Sequence, residues 1–317
     1  MVPDLQRAVI EVFGGCNYTC AMCPQSNPGR GKEWTRKMPL PLFEKILDQL
    51  PGKPIVNLEG SGEPTMAKDL PMYIRACTKR GLKSYIYTNG FRLRGDFMRE
   101  CVDAGLTYAR FSVIGYDPET YKKWMDSDNF DAVMENIAGI QAYGGTQIST
   151  YHLILNDQDI AGEIEKYRKN VIDRHNTIGY IWKMHNWSGN YDPGYERKND
   201  DRRTCGRPFS PEIVIRAGGN DGHRAAVTPC CQTLGPPNET KSVLGHLDSQ
   251  SLEEVWNGEL YNELRKNHKE KNFDAIDYCK DCDFLLHDGD ALVWSNDPEA
   301  ELDHMIGTTF SLKEYMS

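Results

Sequence analysis

From residue 8 to about residue 187, short apolar runs alternate with longer amphipathic segments. The runs at 8–13, 55–58, 83–87, 108–113, 148–155 and 177–184 are rich in β-branched and aromatic residues, which predicts strands. Between them, 42–50, 70–79, 97–104, 130–143 and 160–175 carry apolar residues at helical spacing, with Ile137, Ile140 and Ala142 marking one such face. Strands that alternate with helices in this way predict βα units around a parallel sheet.

Beyond that stretch the texture changes. Residues 189–201 are rich in Gly, Asn, Asp, Pro and charge and read as a linker. Apolar runs at 213–216 and 224–228 flank Ala217-Gly218-Gly219-Asn220-Asp221-Gly222, which predicts a β-hairpin. A helix follows over 252–268, capped by Ser251 with Glu254 three residues on. The expected division is a first domain over 1–190, a linker over 191–204 and a smaller α+β domain over 205–317, whose tail after Leu285 carries no readable chemical motif.

Composition narrows the classes. A hydrophobic fraction of 39% suits a globular core, and a net charge of −9 gives no basic footprint for nucleic acid or an acidic membrane. Met1 to Arg7 is polar and runs at once into the first strand, so no signal sequence is expected, and no apolar run approaches the ~20 residues of a membrane span. Ten cysteines without a signal peptide read as ligands in a cytoplasmic protein rather than as a disulfide framework. Cys77 and Cys101 are exceptions, isolated in helices and expected as buried structural thiols.

The chemistry starts at Cys16, Cys20 and Cys23 in GGCNYTCAMCPQS. A cubane [4Fe–4S] cluster is normally held by four thiolates, and this C-x3-C-x2-C loop provides three, which leaves one iron open. A zinc knuckle or a redox thiol cluster is the alternative for close cysteines. The loop follows the first strand directly, at the end of the sheet where α/β folds bind ligands. A second segment, Gly60-Ser61-Gly62-Glu63-Pro64, follows the second strand and joins close-approach glycines to a carboxylate that can accept from an ammonium group.

Together these motifs resemble the radical S-adenosylmethionine (SAM) superfamily. The resemblance implies a partial (β/α)6 barrel in a mixed α/β fold, a SAM-binding [4Fe–4S] cluster on Cys16, Cys20 and Cys23, and SAM chelating the open iron. It implies that Ser61, Gly62 and Glu63 hold the methionine amino group and that Met22 lies near the adenine. Ser112 matches a position that contacts the ribose or carboxylate, and Tyr87-Thr88-Asn89-Gly90 ends the third strand as the family's TNG turn does.

A second cysteine set, Cys205, Cys230, Cys231, Cys279 and Cys282, surrounds the hairpin and helix. With Cys205-Gly206-Arg207-Pro208-Phe209, Thr228-Pro229-Cys230-Cys231 and Leu244-Gly245-His246-Leu247, it resembles the SPASM and shorter twitch extensions of radical SAM enzymes. A full SPASM pattern needs more cysteines, so the resemblance implies one auxiliary [4Fe–4S] cluster on Cys205, Cys230, Cys279 and Cys282. Cys230 is preferred to Cys231 because it directly follows the hairpin strand, and a four-thiolate zinc site stays open as the alternative.

A single auxiliary cluster resembles the aminocyclitol dehydrogenases and implies oxidation of a small polyol or amino sugar. Peptide modification and a non-catalytic iron–sulfur protein are the competing readings. The first strand begins within ten residues of Met1, which favours a small-molecule substrate over a peptide, and a one-electron donor such as flavodoxin or ferredoxin is the expected external reductant. Lys183 and His185, at the end of the sixth strand, and Arg207 are the candidate catalytic residues; Tyr151 and His152 are weaker ones.

Overall fold

The computed structural model describes residues 1–154, 159–193, 202–286 and 292–298. In chain order the first part runs β1 (Arg7–Ile10), α1 (Leu40–Leu47), β2 (Ile55–Asn57), α2 (Leu70–Lys79), β3 (Ser84–Thr88), α3 (Gly95–Asp103) and β4 (Leu106–Ser112). It continues with α4 (Pro118–Met125), α5 (Phe130–Tyr143), β5 (Gln147–Ile154) and α6 (Ile160–Tyr167). A wider π turn over Arg168–Ile172 joins α6 to α7 (Asp173–His175), and β6 (Ile178–Lys183) follows. β1 to β6 pair in sequence order, all parallel.

The longer helices bury apolar stripes. On α2 that stripe is Leu70, Tyr73, Ile74 and Cys77; on α5 it is Val133, Met134, Ile137 and Ile140, all buried. Fully burying one such aliphatic side chain contributes about 1.5–3 kcal/mol, so the stripes hold the helices against the sheet. Cys77 and Cys101 are buried in this layer as free thiols. The expected strands and helices are found, with ends shifted by one to three residues. α4 was not expected, although Asp117 accepts from the Thr120 amide at 2.8 Å and Pro118 starts the helix, a readable N-terminal signal.

The later elements are β7 (Glu212–Arg216), β8 (Ala226–Thr228), α8 (Asn238–Lys241), β9 (Gly245–His246), α9 (Leu252–Trp256), α10 (Glu259–Lys269) and β10 (Leu292–Ser295). The hairpin forms as expected, and Ser251 and Glu254 make the reciprocal cap. The single helix expected over 252–268 is two, because Asn257 closes α9 and Gly258 opens α10; a mid-helix glycine costs about 1 kcal/mol, and here it serves as a cap instead. β7 lies parallel to β1, so the hairpin extends the first sheet, and with β9 on β8 and β10 on β6 it reaches ten strands in the order β10-β6-β5-β4-β3-β2-β1-β7-β8-β9. The expected linker falls largely outside the described residues. Among the described residues, no helix is long and apolar enough to cross a membrane.

Candidate functional site

The C-terminal ends of β1 to β6 surround a cavity of about 580 Å³. Its wall includes Cys16, Cys20, Cys23, Met22, Ser61, Gly62 and Glu63 from the first part of the chain and Cys205, Arg207 and Cys231 from the second. Ser112, Tyr151, Trp182 and His185 line it too, with Glu59 and Arg110.

Glu63 is no surface turn residue: it is 3% exposed, and four donors fix its carboxylate. The Thr65 amide and hydroxyl donate to Oε1 at 3.0 and 2.6 Å, the Thr88 hydroxyl at 2.6 Å, and the Asn89 amide donates to Oε2 at 2.7 Å. The Thr88-Asn89 turn therefore orients the carboxylate of the neighbouring unit. Burial pushes the Glu63 carboxyl upward against these hydrogen bonds, so a cationic partner in the cavity would favour its charged form. Gly62 sits so close to the cysteine loop that a Cβ there would come within 2.2 Å of the Phe13 carbonyl oxygen and 2.5 Å of that of Gly15. Only glycine lets the two segments meet, and their shared backbone makes a cradle at the cavity floor.

All ten cysteines are free thiols. Burial pushes Cys16 up to about 12, and Glu63 and Cys23 add to the rise. Cys20 is raised by burial and then by the neighbouring charges of Cys23 and Cys16. Crowded thiols of this kind are released from mutual repulsion when a cationic cluster takes them as thiolates. In the second set, Cys279 is raised by burial and by Cys230, Cys282 and Cys205, and Cys282 by burial, Asp283, Cys230 and Cys205. These four thiols from three distant segments are thus close enough to raise one another. Cys231 stands apart: its sulfur accepts from Arg207 Nη1 at 3.4 Å and faces the cavity.

Among the described residues, no three or more Cys, His, Asp or Glu side chains close on a single metal ion. A cubane takes its thiolates at separate corners, one per iron, so its ligands need not crowd as the ligands of one zinc at about 2.3 Å must. Three thiols beside a glycine cradle and a fixed carboxylate fit a cluster and an amino-acid ammonium, and four neighbouring thiols fit a second cluster.

The other expected residues separate. His185 is buried, lines the cavity and packs edge-on against Trp187, with ring centroids 4.1 Å apart. On β6 it is Trp182 that lines the cavity, and its chain neighbour Lys183 is not among the lining residues. The same alternation puts Tyr151 in the wall and sends His152 behind the sheet, where Nε2 lies 2.8 Å from Glu163 Oε1 and the ring stacks on Tyr167. Arg207 lines the cavity and lies over the Phe284 ring.

Several site residues escaped the sequence reading. Glu59 lines the cavity beside Arg7 and Arg110, accepts from Asn57 Nδ2 at 2.8 Å, and is pushed up to about 7 by burial. Arg110 reaches in from β4, donates to the Tyr87 hydroxyl at 2.9 Å and stacks on Tyr180 with 3.8 Å between guanidinium carbon and ring centroid. Glu11, Arg30, Arg216 and Glu239 form a buried charged group behind the glycine segment. A charged residue inside a strand, as Glu11 and Arg216 are or nearly are, was the available signal, since charges are rarely buried without partners.

Comparison with known proteins agrees with this geometry. Residues 10–166 match the radical SAM superfamily, and residues 209–283 match an iron–sulfur cluster-binding domain, SPASM. That second match decides for iron–sulfur over zinc at the C-terminal set. The SAM-dependent 2-deoxy-scyllo-inosamine dehydrogenase of Niallia circulans is 23% identical over 278 residues, 86% of this chain and 90% of that protein. The crystal structure of BtrN in complex with AdoMet and 2-DOIA overlays with a TM-score of 0.60 at 19% identity, covering 89% of this chain and 94% of that one. Streptococcus suis SuiB bound to precursor peptide SuiA overlays with a TM-score of 0.63 at 16% identity, covering 89% of this chain and 70% of that one. At these identities the two overlays establish the shared fold.

Proposed function

Because the chain belongs to the radical SAM superfamily and carries a C-terminal iron–sulfur cluster-binding domain, we propose that it oxidises a secondary alcohol of a small polyol or amino sugar to a ketone. The observation that carries this reading is one cavity whose wall includes both the three-cysteine loop and Cys205 with Arg207. A small substrate held there meets both a radical source and an electron acceptor. The relationship to a 2-deoxy-scyllo-inosamine dehydrogenase over most of both chains points to the same substrate class.

Cys16, Cys20 and Cys23 would hold the SAM-binding cluster, and Cys205, Cys230, Cys279 and Cys282 the auxiliary one. When bound, SAM and the first cluster supply a 5′-deoxyadenosyl radical able to take hydrogen from an unactivated carbon, and the auxiliary cluster supplies a one-electron acceptor. Glu63, Ser61 and Gly62 bind the methionine ammonium; Met22 and Ser112 complete the SAM wall. Tyr151, Trp182 and Arg110 enclose the substrate and exclude water, and His185 and Arg207 present polar groups to its oxygens. Glu59, whose pKa of about 7 suits proton transfer near neutrality, takes the hydroxyl proton. The proton of the hydroxyl goes to Glu59, and the hydrogen atom and the electron that complete a two-electron oxidation are what the groups held by Cys16, Cys20 and Cys23 and by Cys205, Cys230, Cys279 and Cys282 would accept when bound. We place the protein in the cytoplasm, served by a flavodoxin or ferredoxin.

The test is anaerobic incubation of the reconstituted protein with SAM, a strong reductant and a panel of polyols and amino sugars that includes 2-deoxy-scyllo-inosamine. A ketone formed with one 5′-deoxyadenosine per turnover is expected. An epimerised sugar, or a crosslinked peptide from a peptide panel, would overturn the dehydrogenase reading.

A further inference from the structure

Five side chains from five separate segments close a ring behind the glycine segment. The Ser61 hydroxyl donates to Glu11 Oε2 at 2.6 Å and accepts from Arg30 Nη2 at 2.6 Å. Arg30 Nε donates to Glu239 Oε2 at 3.1 Å, and Glu239 Oε1 accepts from Arg216 Nη2 at 2.9 Å. Arg216 Nε stands 3.6 Å from Glu11 Oε2, which completes the circuit. The four charged side chains are at most 3% exposed, and two carboxylates balance two guanidiniums.

The ring is tied to the backbone where the SAM site is built. Arg30 donates to the carbonyls of Gly14 at 2.8 Å and Trp34 at 2.9 Å, which pins the cysteine loop. Glu11 accepts from the Ser61 amide at 2.5 Å and the Ala217 amide at 3.1 Å, which pins the glycine segment to the hairpin. Glu239 belongs to α8, eight residues beyond Cys231, in the auxiliary-cluster half of the chain. It alone accepts from both arginines.

We infer that Glu239 is a positioning residue for SAM, acting from the C-terminal domain through Arg30 and Ser61 on the segment that presents Glu63. Buried ion pairs are often no more stabilising than apolar packing, whereas removal of one partner leaves an uncompensated buried charge. Stability and positioning can therefore be separated by deleting charges singly and in pairs. The inference depends on the SAM site and not on which substrate is oxidised.

The experiment uses protein with both clusters reconstituted and follows SAM binding by the change in the electron paramagnetic resonance spectrum of the reduced three-cysteine cluster. Iron content and thermal midpoint are measured alongside. E239Q is expected to weaken SAM binding by about tenfold, the scale of one lost charge-assisted hydrogen bond, with iron content unchanged and a lowered thermal midpoint. The double variant R30Q/E239Q leaves Glu11 paired with Arg216, so its thermal midpoint should recover while SAM binding stays weak. Recovery of SAM affinity together with the thermal midpoint would reduce the ring to a structural role and overturn the inference, as would native affinity in E239Q. If E239Q does not fold, the double variant alone decides: weak SAM binding at native iron content supports the inference, and native affinity ends it.

Discussion

The two cysteine sets are built on opposite plans. Cys16, Cys20 and Cys23 lie within eight residues of one loop, and all three line the central cavity. Cys205, Cys230, Cys279 and Cys282 come from segments up to 77 residues apart, and of these only Cys205 lines it. A site that must bind SAM at an open iron needs its thiols on one side, facing the cavity. A site that only accepts an electron can be wrapped, with its remaining thiols turned away from the substrate. The difference in wrapping is the structural counterpart of the difference in proposed role, and variants at each set should separate the two.

The largest effect is expected when Cys16, Cys20 and Cys23 are all changed to Ala. SAM cleavage should fall to background, while iron at the C-terminal set remains. Continued release of 5′-deoxyadenosine by this variant would falsify the assignment of the loop. Changing Cys279 and Cys282 to Ala should have the converse result: SAM cleavage persists in part, ketone formation stops, and about four irons per chain are lost, the content of one cubane. Native rates of ketone formation in that variant would demote the second cluster to structural support.

Glu59 sharpens the comparison, because it lines the cavity that both sets reach and belongs to neither. Glu59→Gln should lower ketone formation about 10²-fold or more, the usual contribution of a general base, with SAM cleavage in the absence of substrate unchanged. The charged form is the active one, so the native rate should rise with pH through about 7 and level off above it. Burial is the largest influence and raises this midpoint, with Glu212 adding to the rise, while Asn57, Arg7 and Arg110 lower it. The same raised pKa makes Glu59 favour folding when neutral, so its contribution to stability is full below about 4.5 and fades as pH rises through about 7. A flat pH profile would remove Glu59 from the proton transfer.

A smaller effect is expected from Glu63→Ala. Its ammonium partner would lose a charge-assisted hydrogen bond, typically about 1.5–3 kcal/mol, or about ten- to a hundredfold in SAM affinity. Iron content should not change. An unaltered SAM dissociation constant would leave Glu63 as a holder of the Thr88-Asn89 turn and nothing more.

What the chain disclosed at the outset follows the same division between local and assembled features. The barrel strands, the three-cysteine loop and the glycine segment are local patterns, readable because spacing alone brings their groups together. Ser251 with Glu254 is of the same kind. The ring of Glu11, Arg30, Ser61, Arg216 and Glu239 was not legible, because its members are separated by up to 228 positions and meet only when β7 pairs with β1. Lys183 shows a finer difficulty: a strand end can be read from the pattern, but a pleat has two faces, and one step along the strand separates it from Trp182 in the cavity wall.

The smallest effect, and the closest test of the contrast between the sets, concerns the neighbours Cys230 and Cys231. Cys230 follows β8 and Cys231 opens a turn, so the two neighbouring thiols can serve different sites. Cys230 is buried and is a charged neighbour of Cys279 and Cys282; burial pushes it up to about 12. The Cys231 sulfur instead lies on the cavity wall, with Arg207 Nη1 3.4 Å away and the Gln232 side-chain amide 3.6 Å away. Cys230→Ala should therefore empty or destabilise the second cluster and lower its iron content. Cys231→Ala should keep all of that iron and cost no more than a few-fold in ketone formation, since sulfur is a weak hydrogen-bond acceptor and Arg207 keeps its place over Phe284. Iron lost from the Cys231 variant and retained in the Cys230 variant would reverse the assignment, and with it the claim that the second cluster turns three of its four thiols away from the substrate.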